Sequence, residues 1–129
     1  MRMDAMNAKN APYQPTIHLM ENLTAEVSPD ADFSYRFMFG GVGFYSRGRM
    51  FAGMINPHTL LLKLPADQCE TLLKIGSAEP DYPAETPMGQ HYTVLPRAIK
   101  NDPDKLIAWV KRSMQYVWGL PAPKSKSKK

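Results

Sequence analysis

The chain has 129 residues, 43% of them hydrophobic, which suits one ordinary domain with a single sizeable core and no covalent staples. A lone cysteine, Cys69, excludes an internal disulfide framework, and no apolar run approaches the roughly 20 residues that span a bilayer, so a soluble cytoplasmic setting is expected. The formal charge of +4 lies in the tail: Lys124, Lys126, Lys128 and Lys129 leave 16 − 4 = 12 basic residues against 12 acidic ones, so the body is formally neutral.

In chain order, residues 1–15 are polar, alanine-rich and proline-broken, without a signal-peptide core. They read as a flexible leader from which Tyr13 could dock on the domain. From Thr16 to Val27 the apolar residues Ile17, Met20, Leu23 and Val27 recur at spacings of three and four, one stripe of a helix with Thr16 as its N-cap. Ser28-Pro29-Asp30 ends it. Phe33, Tyr35, Phe37 and Phe39 then alternate with Ser34, Arg36 and Met38, a strand with one aromatic face. After Gly40, Gly41 and Gly43, the break Ser46-Arg47-Gly48-Arg49 separates two apolar runs and marks a hairpin. Asn56-Pro57-His58-Thr59 is a second turn, and Leu60-Leu61-Leu62-Lys63-Leu64 a further strand.

Pro65 opens another helix, with Ala66, Cys69, Leu72 and Leu73 on one face and Gly76 as its stop. Residues 77–90 contain three prolines and no periodicity, a loop long enough to carry function. His91 to Pro96 reads as one more strand. Asp102 then caps a final amphipathic helix, with Pro103 at its first position, Trp109, Val110, Met114 and Val117 along it, and Gly119 and Pro121 at its end. The order α-β-β-β(-β)-α-β-α, with helices segregated from a mostly antiparallel sheet, defines an α+β domain over residues 16–119, followed by a disordered basic tail over 120–129.

Few residues suggest chemistry. A phosphate-binding loop requires its glycines to lead straight into a helix N-terminus, whereas Gly43 leads into Phe44-Tyr45, a strand. The glycines are therefore assigned a structural role, a bend or a close backbone approach. Cys69 lies on the apolar face of its helix, and His18, His58 and His91 sit on other elements without nucleophile–base or metal-ligand spacing. No catalytic residue, cofactor or metal is assigned. Arg36 turns to the face opposite the aromatics, with Lys63 near it, and these two with Arg47 and Arg49 form the candidate basic surface for an acidic partner.

The residues Arg36-Phe37-Met38-Phe39-Gly40-Gly41-Val42-Gly43, then Gly48 with Phe51-Ala52, then Leu60-Leu61-Leu62-Lys63, resemble the R-x-M-F-G-G-x-G, G-x-x-F-A and L-Y-L-K signatures of the TfoX N-terminal-domain family. The resemblance runs from about Thr16 to Trp118, with Gly76, Met88, Tyr92, Pro96, Leu106 and Trp109 at later landmarks. It implies a stand-alone, single-domain member of a bacterial cytoplasmic family whose fold is similar to secretion-chaperone-like domains and whose longer members regulate competence.

The leading expectation is a non-enzymatic regulatory module working through protein contacts, with self-association into a homodimer or peptide docking at an edge strand as uses of its Met-rich and aromatic surface. One alternative is a nucleic-acid-associated regulator whose lysine tail gives weak, salt-dependent affinity. Another is an enzyme or small-molecule binder with the 77–90 loop as a lid over Arg36 and His91.

Overall fold

The computed structural model describes residues 10–38, 40–79 and 91–121. Residues 1–9 of the leader, Phe39, residues 80–90 of the proposed lid with Met88, and residues 122–129 with the lysine tail lie outside the described residues.

The first helix, α1 (Gln14–Val27), starts two residues before Thr16. A short 3-10 turn, Ala11–Tyr13, runs straight into it, so Tyr13 occupies the N-cap position without a side-chain cap and Pro15 sits in the first turn, where its missing N–H costs nothing. Thr16 is therefore inside the helix. Tyr13 is buried at the sheet, with its hydroxyl donating to the Gly40 carbonyl at 2.8 Å and its ring edge-on to Phe37 at 6.2 Å. That tertiary anchor replaces the local capping signal read at Thr16.

Five strands follow: β1 (Phe33–Met38), β2 (Gly41–Ser46), β3 (Arg49–Asn56), β4 (Thr59–Lys63) and, after the helix α2 (Ala66–Gly76), β5 (Tyr92–Val94). They form one sheet in the order β1-β2-β3-β4-β5, with every neighbouring pair antiparallel. The first three links are two-residue hairpins, which is why sequence order and spatial order coincide. The β2–β3 turn has Arg47 at φ 54° and Gly48 at φ 78°, both in the left-handed region, the geometry that matches the right-handed twist of the strands. At the β3–β4 turn His58 N–H donates to Asn56 Oδ1 at 2.8 Å.

A four-residue helix, α3 (Arg97–Lys100), precedes the last helix, α4 (Pro103–Trp118). Asp102 caps α4, accepting from the backbone N–H of Asp104 at 3.1 Å and of Lys105 at 3.2 Å. The first of these two helices is absent from the sequence reading because a single turn offers no periodicity. Its N-terminus is capped from a distance: Glu79 accepts from the N–H groups of Arg97 and Ala98 and from Arg97 Nε.

Val42, Phe44, Ala52, Met54, Leu60, Leu62 and Leu64 join Ile17, Met20 and Leu23 of α1 and Leu106, Val110, Met114 and Val117 of α4 in one core. Each large apolar side chain so buried contributes about 1.5–3 kcal/mol. The β2–β3 register slips between Phe44 and Tyr45, so that Phe44 pairs with Ala52 and Tyr45 with Met50. The extra residue, Phe51, is fully buried in the core beside Ala52. Buried Ser113 on α4 places its Oγ 2.6 Å from the Phe51 carbonyl and 2.8 Å from the Lys63 carbonyl, tying helix to sheet at that bulge.

Candidate functional site

Alternation along the strands sends Arg36, Gly43, Gly53, Leu61 and Val94 to the face turned away from α1 and α4, where their pairing lines them up across all five strands. Two adjacent glycines in that row leave a trough, and methionines fill it. A Cβ on Gly43 would stand 2.9 Å from the Met38 methyl and 3.3 Å from Met50 Sδ, and one on Gly53 would stand 3.1 Å from the Met50 methyl. The absence of side chains at these two positions is what lets both thioethers lie flat on the sheet.

Cations flank this patch. The Arg36 guanidinium lies 5.4 Å from the centre of the Tyr45 ring, and Lys63 Nζ 5.5 Å from that of Tyr92. Burial, and next the nearby Tyr45 hydroxyl, push the Tyr92 hydroxyl up to about 12, so it stays protonated and uncharged beside Lys63. Arg36 is exposed, while Met38, Tyr45, Met50, Lys63 and Tyr92 are half-buried. Leu61 and Val94 of the same row are buried, so the open part of the face lies toward β1, β2 and β3.

The four basic residues singled out from the sequence do not form one patch. Arg36 and Lys63 share the outer face, but β2 and β3 lie between them, three strand spacings or about 14 Å apart. Arg47 turns to the end of α4, its guanidinium 3.9 Å from the centre of the Trp118 ring and its Nε donating to the Asp30 carbonyl at 3.1 Å. Arg49 donates from Nη2 to the Leu120 carbonyl at 3.3 Å. These two side chains fasten the C-terminal end of the last helix.

The glycine run resolves into three local tasks. Gly40, at φ 79°, lies between β1 and β2 in the left-handed region that favours glycine, and Phe39 is outside the described residues. Gly41 sits so close to the Met54 carbonyl that a Cβ would overlap it. Gly43 forms the bed for Met38 and Met50. Gly48 closes the second hairpin, and Phe51 fills the core at the bulge.

Two residues read as unrelated in the sequence meet at one atom. Cys69 Sγ donates to the Leu64 carbonyl at 3.5 Å, and His91 Nδ1 lies 3.3 Å from the same oxygen, so Sγ and Nδ1 are no more than 3.5 + 3.3 = 6.8 Å apart. Both are directed at the carbonyl rather than at each other. Burial pushes the Cys69 thiol up from its ordinary value, the opposite of what a nucleophile requires. His58 lies at the β3–β4 turn, where its carbonyl accepts from Lys100 Nζ at 2.6 Å, and His18 is exposed on α1. Among the described residues no three His, Cys, Asp or Glu side chains are grouped to hold a metal ion. No helix among them is long and apolar enough to cross a membrane.

Sequence reasoning missed the rings beneath the cations, Tyr45, Tyr92 and Trp118, and the serine at the bulge. A signal for Ser113 existed: a lone hydroxyl on the apolar face of α4 has to find a partner. The ring partners carried none, since each depends on which strands become neighbours.

A five-stranded antiparallel meander with helices on one face, and with a methionine-lined, cation-flanked outer face, defines a small α+β domain built around a single sheet. Within that class, the profile of the TfoX N-terminal domain matches residues 26–117, which is 117 − 26 + 1 = 92 of the 129 residues, and the chain belongs to this family. The match takes in the whole sheet and nearly all of α4, and begins at the last turn of α1 rather than at Thr16. Comparison with curated proteins finds no match.

Proposed function

We propose that the chain is a non-enzymatic, regulatory interaction module that docks an acidic segment of a partner protein on the outer face of its sheet. The observation that supports this reading is the pairing of each outer cation with a ring, Arg36 on Tyr45 and Lys63 on Tyr92, around the Met38–Met50 patch. A cation held over a ring has already lost part of its rotamer freedom, so an approaching carboxylate orders less on binding. Thioethers between the cations supply apolar contact that adapts to a partner's shape. Among the described residues the only ion pair is Arg97 with Glu79, and no described carboxylate pairs with Arg36 or Lys63.

The reading is tested by affinity capture from the host with the whole chain, alongside the variants Arg36→Glu/Lys63→Glu and Lys111→Glu, the last being an exposed lysine of α4. Loss of the same specific partner with the first variant and its retention with the second is the expected result. Equal capture by all three forms overturns the assignment of the outer face.

A further inference from the structure

The two edges of the sheet differ. β5 is three residues long and has α2 packed on it. β1 is six residues long, and among the described residues its backbone pairs with β2 alone. Edge strands are commonly blunted by a proline, charged side chains or a bulge, because a row of unpaired N–H and C=O groups recruits another strand. Phe33-Ser34-Tyr35-Arg36-Phe37-Met38 has no proline and no bulge, its one charge is Arg36, and its register with β2 is unbroken from Phe33 to Met38. On it lies Tyr35, 45% exposed and the most exposed large apolar side chain among the described residues, in a row with Phe33 and Phe37 at ring separations of 6.4 and 5.8 Å.

We propose that β1 pairs antiparallel with β1 of a second copy of this chain, with Tyr35 on the two-fold axis, joining two five-stranded sheets into one. The register follows from symmetry and charge. A two-fold axis perpendicular to a sheet places one residue opposite its own copy, and residues directly opposite each other lie on the same face. Centring on Ser34 uses only Phe33 to Tyr35, because Asp32 has left the strand with φ 52°. Centring on Arg36 uses Ser34 to Met38 but sets two guanidinium groups against each other, which is destabilising. Centring on Tyr35 uses Phe33 to Phe37, places Phe33 against Phe37 twice, and sets Arg36 of each copy against the uncharged Ser34 of the other. Only this last register combines a full ladder, aromatic cross-strand pairs and no opposed charges. The pairing does not depend on the docking function of the outer face.

Sedimentation velocity of the whole chain over a wide concentration range tests it. The wild type shifts with concentration from 14.6 kDa toward twice that mass. Tyr35→Lys and Tyr35→Glu each remain monomeric, because like charges meet on the axis, and an equimolar mixture of the two recovers the doubled mass as a heterodimer. Ser34→Glu, at an exposed position away from the core, moves the monomer–dimer midpoint to lower concentration by facing Arg36 of the other copy, and Ser34→Lys moves it higher. Circular dichroism identifies any misfolded Tyr35 variant, in which case the Ser34 pair decides alone. A wild type monomeric at every concentration, or a dimer whose midpoint ignores these changes, overturns the proposal.

Discussion

The Arg47 guanidinium stacks on the Trp118 ring at 3.9 Å, and the indole Nε1 donates to Ser46 Oγ at 3.0 Å, so the β2–β3 hairpin and the end of α4 hold one another at the face and at the edge of a single ring. Ser46 Oγ passes the chain on by donating to the Ala31 carbonyl at 2.6 Å. A residue that sequence places in a solvent-facing basic turn is thereby part of the fold.

Arg47→Ala should lower unfolding free energy by about 1 kcal/mol, the range of a solvent-exposed cation–π contact with its attendant hydrogen bond. Arg47→Gly should lose less, because glycine adopts the left-handed φ of this position without strain. Denaturant titration ranks the three proteins, and a red shift of tryptophan emission in both variants reports release of Trp118. Equal stability of all three would show that the stacking contributes nothing.

Ser113→Ala should cost about 1–3 kcal/mol, since it strips a hydroxyl from the Phe51 and Lys63 carbonyls inside the core. The bulge at Phe51 is what exposes a carbonyl to α4, so the loss should appear as faster hydrogen exchange in β3 near Phe51 as well as a lower midpoint. A midpoint within error of wild type would mean that another donor replaces Ser113.

Gly41→Ala and Gly43→Ala should differ sharply although they are two residues apart. At Gly41 the new Cβ meets the backbone carbonyl of Met54 in the neighbouring strand core, which cannot move without breaking the ladder, and the cost is about 3 kcal/mol or failure to fold. At Gly43 it meets the ends of two methionine side chains, which can rotate, and the cost is about 1 kcal/mol. Thermal unfolding in inorganic phosphate should give the same midpoints as in sulfate of equal ionic strength, since both salts stabilise by exclusion and glycines that shape a sheet add no phosphate site. A rise in phosphate beyond that in sulfate would return the run to the phosphate-loop class.

Acid should weaken the α3 cap. Burial alone would raise the Glu79 carboxyl, but hydrogen bonds from the N–H groups of Arg97 and Ala98 and the Arg97 charge hold it below its ordinary value of 4.5. A carboxyl depressed in the folded state adds stability that is fully present above its unfolded value and is lost as pH falls through the folded one. Between neutral pH and the acid range, the wild type should therefore lose stability more steeply below about pH 4.5 than Glu79→Gln. Parallel curves for the two proteins would remove the cap from the account of acid stability.

Local chemistry made much of the architecture legible before any fold was known. Asp102-Pro103 announces the start of α4, the alternation from Phe33 to Met38 announces β1 and the outward aim of Arg36, and Arg47-Gly48 between apolar runs announces the β2–β3 hairpin. Each rests on hydrogen bonds or steric preferences within a few residues. The start of α1 and the existence of α3 were not legible, because their ends are held by Tyr13 on the Gly40 carbonyl and by Glu79 on the Arg97 and Ala98 amides, partners 27, 18 and 19 residues away. The candidate site was legible by halves: strand period gives the side to which Arg36 and Lys63 turn, but not that two strands separate them or which rings lie beneath them.

The sequence by itself determined an α+β chain, a meander with tight hairpins, and glycines where backbones crowd, because propensity, period and turn chemistry act over short stretches of chain. Only the tertiary structure decided that Arg47 and Arg49 hold the last helix while Arg36 and Lys63 remain on the outer face, that Ser113 answers the bulge at Phe51, and that β1 is the open edge. Those outcomes depend on which distant segments come to rest against each other, and a one-dimensional pattern carries no measure of that distance.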